Sequence, residues 1–203
     1  MILAIDCSTA ACSAALLGVD GNVLDERHEE IRRGHAEQLV PMIAELLSGD
    51  SPSEILVGVG PGSFTGLRVA IAAAHGMAIG WSVPLSGVDS LGLLAAGAPG
   101  DEPVGVAMIG GHGEWFVAEY DRPSLRPMIV GASLAPLAAA QAVAAPLVVG
   151  SAAEALVALR GSGRAIAALP RAAFALRLPL AARTLDPRPV YARAPDATPR
   201  QAA

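Results

Sequence analysis

Apolar and polar positions alternate in short blocks from the start of the chain. Ile2 to Asp6 and Cys12 to Leu17 are apolar runs, and the turn residues Asp20, Gly21 and Asn22 lead from the second into Val23 to Glu30. This pattern predicts three antiparallel strands joined by tight turns. From His35 to Leu47 the period changes: Leu39, Ile43, Leu46 and Leu47 recur at helical spacing, Ser48 and Gly49 supply a stop, and Pro41 predicts a kink or a late start. Ile55 to Val59 reads as a buried strand, followed by a glycine-rich turn, a helix from Leu67 to Trp81, a strand over Val83 to Val88, and a short helix capped by Asp89 or Ser90 that runs through Ala96.

The Gly97 to Pro103 segment, rich in Gly and Pro, is the predicted boundary between an N-terminal lobe over residues 1–98 and a smaller C-terminal lobe with an extended tail over 103–203. Beyond it the order recurs. Strands are expected at Val104 to Ile109, Glu114 to Asp121 and Met128 to Val130, then a helix from Leu134 to Ala144. A strand at Leu147 to Val149, a helix from Ala152 to Arg160, a strand near Ala165 to Leu169 and a helix from Arg171 to Arg183 follow. Each half spells βββαβαβα, with no repeat at the residue level. Two such units imply an α/β protein with two mixed sheets flanking a cleft, which resembles the two-lobed actin-like ATPase (ribonuclease H-like) plan.

Composition narrows the chemistry. The chain has 203 residues, 53% of them apolar, enough for a packed core. All 14 basic residues are arginine, so mechanisms that need a lysine amine, including a Walker loop, are excluded. A net charge of −5 argues against gripping a nucleic-acid backbone unaided; the local exception is Arg171 to Arg200, which reads first as a solvated or structural arginine face. Cys7 and Cys12 lack zinc-site spacing and read as buried free thiols. The N-terminus has no basic lead-in and Asp6 interrupts its apolar run, so no signal peptide is expected; apolar stretches are broken before they reach a membrane span, and a cytoplasmic location without membrane contact follows as the expectation.

Residues Gly60 to Arg68, GPGSFTGLR, place a glycine-rich turn between a strand and a helix start. Two readings stand side by side: backbone N–H groups converging on an anion, or Ser63 or Thr65 as a simple N-cap with glycines permitting the turn. The segment is neither a Walker loop nor a dinucleotide fingerprint.

The run GPGSFTGLRVA, comprising Gly60, Pro61, Gly62, Ser63, Phe64, Thr65 and Gly66 and the helix start, resembles the signature of the TsaB (YeaZ) family. It is accompanied in order by ILAIDCS at the start, by HAEQLVPMI from His35, and by PVYARAPDA near the end. What the resemblance implies is a non-catalytic subunit of the machinery that places threonylcarbamoyl on the adenosine beside the anticodon of tRNAs reading codons that begin with A. The expected partners are the paralogue TsaD as a heterodimer and the small ATPase TsaE, with tRNA met indirectly; whether the chain pairs with itself as a homodimer when TsaD is missing is left open by the sequence. No cofactor of its own is expected; ATP and a divalent metal belong to the partner subunits or the shared interface.

Two helices are the expected docking elements. The helix after the signature is apolar on nearly every side, and a helix without a wide polar face is usually sandwiched. The resemblance implies packing against an equivalent pair in TsaD through His35, Leu39, Met42, Ile43, Leu46, Leu67, Arg68, Ile71, Ala74, His75 and Ala78; the alternative is that both helices are simply internal. The four histidines include no HxxxH pair of the kind that holds a metal in TsaD. Asp6, Ser8 and Thr9 occupy the first strand-turn, where the actin-like plan faces phosphate, and are candidate nucleotide-facing residues. The matching turn of the second half, Ile109-Gly110-Gly111-His112, lacks the acid wanted there and replaces an Asp-Ala-Arg common in the family. An actin-like enzyme acting alone, either a phosphotransferase or a hydrolase, is the rival reading. An independent tRNA binder using the C-terminal arginines is a third.

Overall fold

The computed structural model describes residues 1–31 and 34–192. Its first sheet runs in the order β3-β2-β1-β4-β5, built from β1 (Ile2–Asp6), β2 (Ala11–Leu17), β3 (Val23–Glu30), β4 (Glu54–Gly60) and β5 (Leu85–Asp89). The second, β10-β9-β6-β7-β8, uses β6 (Val104–Ile109), β7 (Trp115–Tyr120), β8 (Pro127–Leu134), β9 (Leu147–Val149) and β10 (Arg164–Ile166). Reading β6 to β10 as copies of β1 to β5, the two orders are the same. The first two connections of each sheet are antiparallel and the strands reached through helices are parallel. The duplicated element order of the sequence is thus a duplicated topology, and the fold is the two-sheet, actin-like α/β class.

Side-chain alternation along the strands sets the layers. Leu3 and Ile5 of β1 join Ile55, Val57 and Val59 of β4 on one face, covered by α1 (His35–Leu47) and α2 (Phe64–Trp81). Ile2, Ala4 and Leu56 point to the opposite face, where they share a core with Val104, Val106 and Met108 of β6. Between the sheets lies α3 (Ser90–Gly97), with Ser90 through Ala96 all buried, as a short helix apolar on every side requires. The outer face of the second sheet carries Ala107, Val117 and Val148 against α4 (Pro136–Ala142) and α5 (Ala153–Arg160). The result is five layers: helices, sheet, α3, sheet, helices.

Several boundaries differ from the sequence reading, each for a local reason. Helix α2 starts at Phe64 rather than Leu67 because Ser63 caps it, its Oγ accepting from Gly66 N at 3.3 Å. Helix α1 begins at His35 with Pro41 inside it, so the late start does not occur. Strand β8 covers eight residues where three were expected, and Pro136 then opens α4 at its first turn. The final helix, expected over Arg171 to Arg183, is broken into a 3-10 helix (Ala172–Arg177) and a single turn, α6 (Leu180–Arg183). Pro179 is the cause, since it has no N–H to donate and holds Leu178 extended, ψ 147°.

The last described stretch returns to the first sheet. The 3-10 helix packs on α3 and on β1 and β2. Leu185 and Gly87 exchange backbone hydrogen bonds at 2.7 and 3.0 Å, and Val190 N donates to Val59 O at 2.8 Å.

Candidate functional site

The signature loop and the β1–β2 turn are built against each other. Ser63 N donates to Ser8 O at 2.7 Å. A Cβ at Gly62 would lie 2.3 Å from Ser8 O, and one at Gly66 would lie 2.0 Å from Cys7 O. Gly60 has φ +104°, which favours glycine, and a Cβ there would meet Val190 O at 2.9 Å. The glycines of GPGSFTG are therefore explained by backbone-to-backbone closeness, and Ser63 by capping. Of the two readings of this segment the structural one accounts for its glycines. Phe64 and Thr65 are exposed; Phe64 stacks on Tyr191, ring centroids 5.4 Å apart, with the Arg68 guanidinium 5.0 Å from its own centroid. The tail motif PVYARAPDA is described only through Ala192; Arg193 to Ala197 lie outside the described residues.

Asp6 does not face open space. It is 1% exposed; its Oδ1 accepts from Ser8 N at 2.9 Å and from Ser8 Oγ at 2.7 Å, and its Oδ2 accepts from Ser90 Oγ at 2.7 Å. Ser90 Oγ in turn accepts from Gly60 N at 3.1 Å. The carboxylate thus ties together the ends of β1 and β4 and the start of α3. Burial raises its pKa above the ordinary carboxylate value, opposed by those hydrogen bonds. Asp6, a candidate nucleotide-facing group, is here a buried structural node that does not line the cleft.

Ser8 and Thr9 do line the cleft between the sheets, a space of about 1340 Å³ that also meets His28, His35, His112, Ser133, Ser151, Phe116 and Tyr191. No arginine or lysine occurs among the described lining residues, so none of these offers a guanidinium or ammonium to a polyphosphate. Its polar groups are largely bonded within the chain. Thr9 Oγ1 accepts from Ala11 N at 3.2 Å, Ser151 Oγ accepts from Ile109 N at 2.9 Å, Ser133 Oγ donates to Glu114 at 2.6 Å, and a His35 ring nitrogen meets Thr9 O at 3.0 Å. His28 Nδ1 alone is buried without a hydrogen-bond partner among the described residues of this lining, and burial lowers that ring's pKa. The Gly110-Gly111-His112 turn also lines the cleft. Among the described residues no group of three or more His, Cys, Asp or Glu side chains is placed to hold a metal.

The helix residues expected to dock a partner divide sharply. His35, Leu39, Met42, Ile43, Leu46, Leu67, Ile71, Ala74 and Ala78 are buried, and the apolar ones from α1 and most of those from α2 pack on the first sheet. In this conformation they are covered by the chain's own core; on an all-apolar helix the sequence does not say which apolar side turns inward. Arg68 and His75 do face outward. Sequence reasoning missed the outward face itself: Ala72, Gly76, Ile79 and Gly80 on α2, with Ile79 79% exposed, and Val40, Pro41 and Ala44 on α1. A Cβ at Gly76 or Gly80 would meet nothing within 4 Å. The i, i+4, i+8 spacing of Ala72, Gly76 and Gly80 was the available signal.

A second set of polar contacts joins the two sheets. Tyr120 on β7 donates to Asp89 at 2.6 Å, while Arg122 donates to the carbonyls of Ala95, Ala98 and Gly100 at 2.7, 3.2 and 2.6 Å. Of the C-terminal arginines, Arg171 pairs with Glu26, Arg177 lies over Phe174 and Arg188 pairs with Asp186, while Arg183 Nε is buried without a hydrogen-bond partner among the described residues. Arg193 and Arg200 lie outside the described residues.

Comparison with known proteins places this geometry. A family model described as TsaD, tRNA N6-adenosine threonylcarbamoyltransferase, matches residues 23–175. The chain is 42% identical over 129 residues to the tRNA threonylcarbamoyladenosine biosynthesis protein TsaB of Escherichia coli, covering 60% of this chain and 55% of that protein. It is 36% identical over 100 residues to the protein of the same name from Bacillus subtilis, covering 47% and 43%. The matched segment therefore spans about half the length of these curated relatives. Among solved structures, YeaZ from Pseudomonas aeruginosa superposes with a TM-score of 0.76 at 30% identity, over 94% of this chain and 98% of that one. With the signature loop accounted for and the two-sheet architecture shared nearly end to end, the chain belongs to the TsaB (YeaZ) family, within the wider group that the TsaD model describes.

Proposed function

We propose that this protein is a non-catalytic subunit in the biosynthesis of threonylcarbamoyladenosine on tRNA, docking through the outward faces of α1 and α2 onto a TsaD paralogue that carries the transferase chemistry, in a complex joined by the TsaE ATPase. The pathway is that of the Escherichia coli and Bacillus subtilis relatives. The observation that carries the docking role is the outward face of α2, where Ile79 stands 79% exposed between two glycines that have open space above them. Such a surface lets a second helix approach closely and buries a large apolar side chain when it does.

The silent role draws support from the cleft. Its lining lacks a described arginine or lysine, its hydroxyls are largely bonded within the chain, and the aspartate at its first turn is buried away from it. ATP and a divalent metal are assigned to the partner or the shared interface. The net charge of −5 weighs against independent tRNA binding. A second reading, in which the chain is itself the transferase, draws on the description of the matched family model.

Capture of the co-expressed paralogue tests the docking role. Ile79→Glu alters only an exposed side chain, so the fold should hold to within about 0.5 kcal/mol. Capture should fall by at least tenfold. Undiminished capture by the Ile79→Glu chain, or none by the unaltered one, would remove the proposal.

A further inference from the structure

The chain has two cysteines, and the fold brings them together. Strands β1 and β2 pair antiparallel with Asp6 opposite Ser13, so the next step of the same register sets Cys7 opposite Cys12. The two Sγ atoms lie 3.2 Å apart, and both thiols are free, 0% exposed and part of the core beneath α1 and α2. Nothing in the proposed docking or in the cleft uses them.

Their position gives the pair leverage. The turn they bracket, Ser8 to Ala10, is the anchor for both helix starts: Ser8 O receives Ser63 N at the head of α2, and Thr9 O meets the His35 ring at the head of α1. Cys7 O is the atom that a Cβ at Gly66 would approach to 2.0 Å. A covalent link between the two sulfurs would fix this joint from below.

We propose that Cys7 and Cys12 form a reversible disulfide that staples the β1–β2 turn beneath the starts of α1 and α2. A disulfide requires the sulfurs to close to about 2.0 Å, a movement on the order of 1 Å for facing side chains on paired strands. The chemistry takes hydrogen peroxide as oxidant. The Cys12 thiolate attacks one peroxide oxygen, the O–O bond breaks, and the departing hydroxide takes up the proton released on ionisation to leave as water. The Cys7 sulfur then attacks the resulting Cys12 sulfenic acid; the S–O bond breaks and the second oxygen leaves as water with the Cys7 proton. The two thiols give up two electrons and two protons, and one peroxide becomes two waters. Either thiol can donate to the other across the 3.2 Å contact, so the same two steps balance with the sulfurs exchanged. Peroxide is small enough to reach the pair through local opening of the turn. A dithiol reductant reverses the link.

The test uses the full chain under native conditions. It is treated with hydrogen peroxide, denatured and alkylated, and the tryptic peptide Met1 to Arg27, which holds both cysteines, is weighed. The expected product is a monomer whose peptide carries no alkyl group and is lighter than the reduced peptide by two hydrogens. Reduction restores both alkylation sites, and the oxidised chain melts at a higher temperature than the reduced one. In Cys7→Ser and Cys12→Ser, peroxide should give no such rise, whereas the wild-type peptide mass stands even if a variant fails to fold. Two alkylatable thiols after oxidation, a sulfinic acid on one of them, or a disulfide only between chains would overturn the proposal.

Discussion

Helix α2 contains two glycines that make opposite predictions under the same substitution. Adding a methyl group at Gly66 places a Cβ 2.0 Å from Cys7 O, where ordinary contact begins near 3.4 Å; Cys7 O is a backbone atom and the Cβ has no torsion by which to turn away. The start of α2 and the end of β1 must move apart by more than 1 Å, an overpacking cost of about 3 kcal/mol. Replacing glycine by alanine within a helix returns about 1 kcal/mol, leaving Gly66→Ala destabilised by about 2 kcal/mol. At Gly76 a Cβ meets nothing within 4 Å, so only the helix term remains and Gly76→Ala should gain about 1 kcal/mol. For a domain of this size about 1 kcal/mol moves Tm by roughly 2–4 °C, so Gly66→Ala should melt about 4–8 °C lower and Gly76→Ala about 2–4 °C higher. Thermal unfolding followed by circular dichroism, with urea midpoints as a check, measures both. Equal or greater stability of Gly66→Ala would show that the signature loop does not press on β1, and the structural explanation of its glycines would fall.

Asp6 supplies a pH test with a definite sign. Its folded-state pKa lies above the unfolded value of 3.8, so the fold holds the proton more tightly and loses stability as pH rises from that value through the raised one. The stability difference between Asp6→Asn and wild type should move in favour of the variant across that window, read from urea midpoints at a series of pH values; movement the other way would mean the carboxylate is stabilised in its charged form. Arg122→Ala removes a guanidinium that serves three carbonyls at the end of α3, and should lower stability by about 2 kcal/mol. Arg122→Lys should recover only part of this in the same urea titration, because one ammonium cannot span the three oxygens; full recovery would argue against the shared clamp.

Much of the architecture was legible because it rests on local chemistry. The turn at Asp20 to Asn22, the switch from strand-type blocks to helical spacing at His35, and the strand into GPGSFTG each announce an element without help from distant contacts. The strand-helix order then limits the pairing, and both sheets follow it. The errors lie where local signals are weak or distant contacts decide. Alanine fills the second half without marking helix ends, and Pro179 was strong enough to break the last helix. The site was less readable than the fold. Asp6 stands where a phosphate-facing acid would stand, yet its role is set by Ser90, 84 residues away. Leu39, Ile71 and Ala74 read as sticky, but which face of a helix is covered depends on the sheet beneath it, and that information is not local.

The proposed division of labour is tested most directly by threonylcarbamoyl transfer to tRNA in a purified system holding an activated threonylcarbamoyl donor, ATP and a divalent cation, with TsaE present throughout. Three mixtures suffice: this chain without the TsaD paralogue, the paralogue without this chain, and the two together. Transfer should be absent with this chain alone and should require the paralogue, rising when this chain joins it and falling again with Ile79→Glu. Sustained turnover by this chain without the paralogue, or full turnover by the paralogue that this chain leaves unchanged, would contradict the assignment of a silent docking subunit.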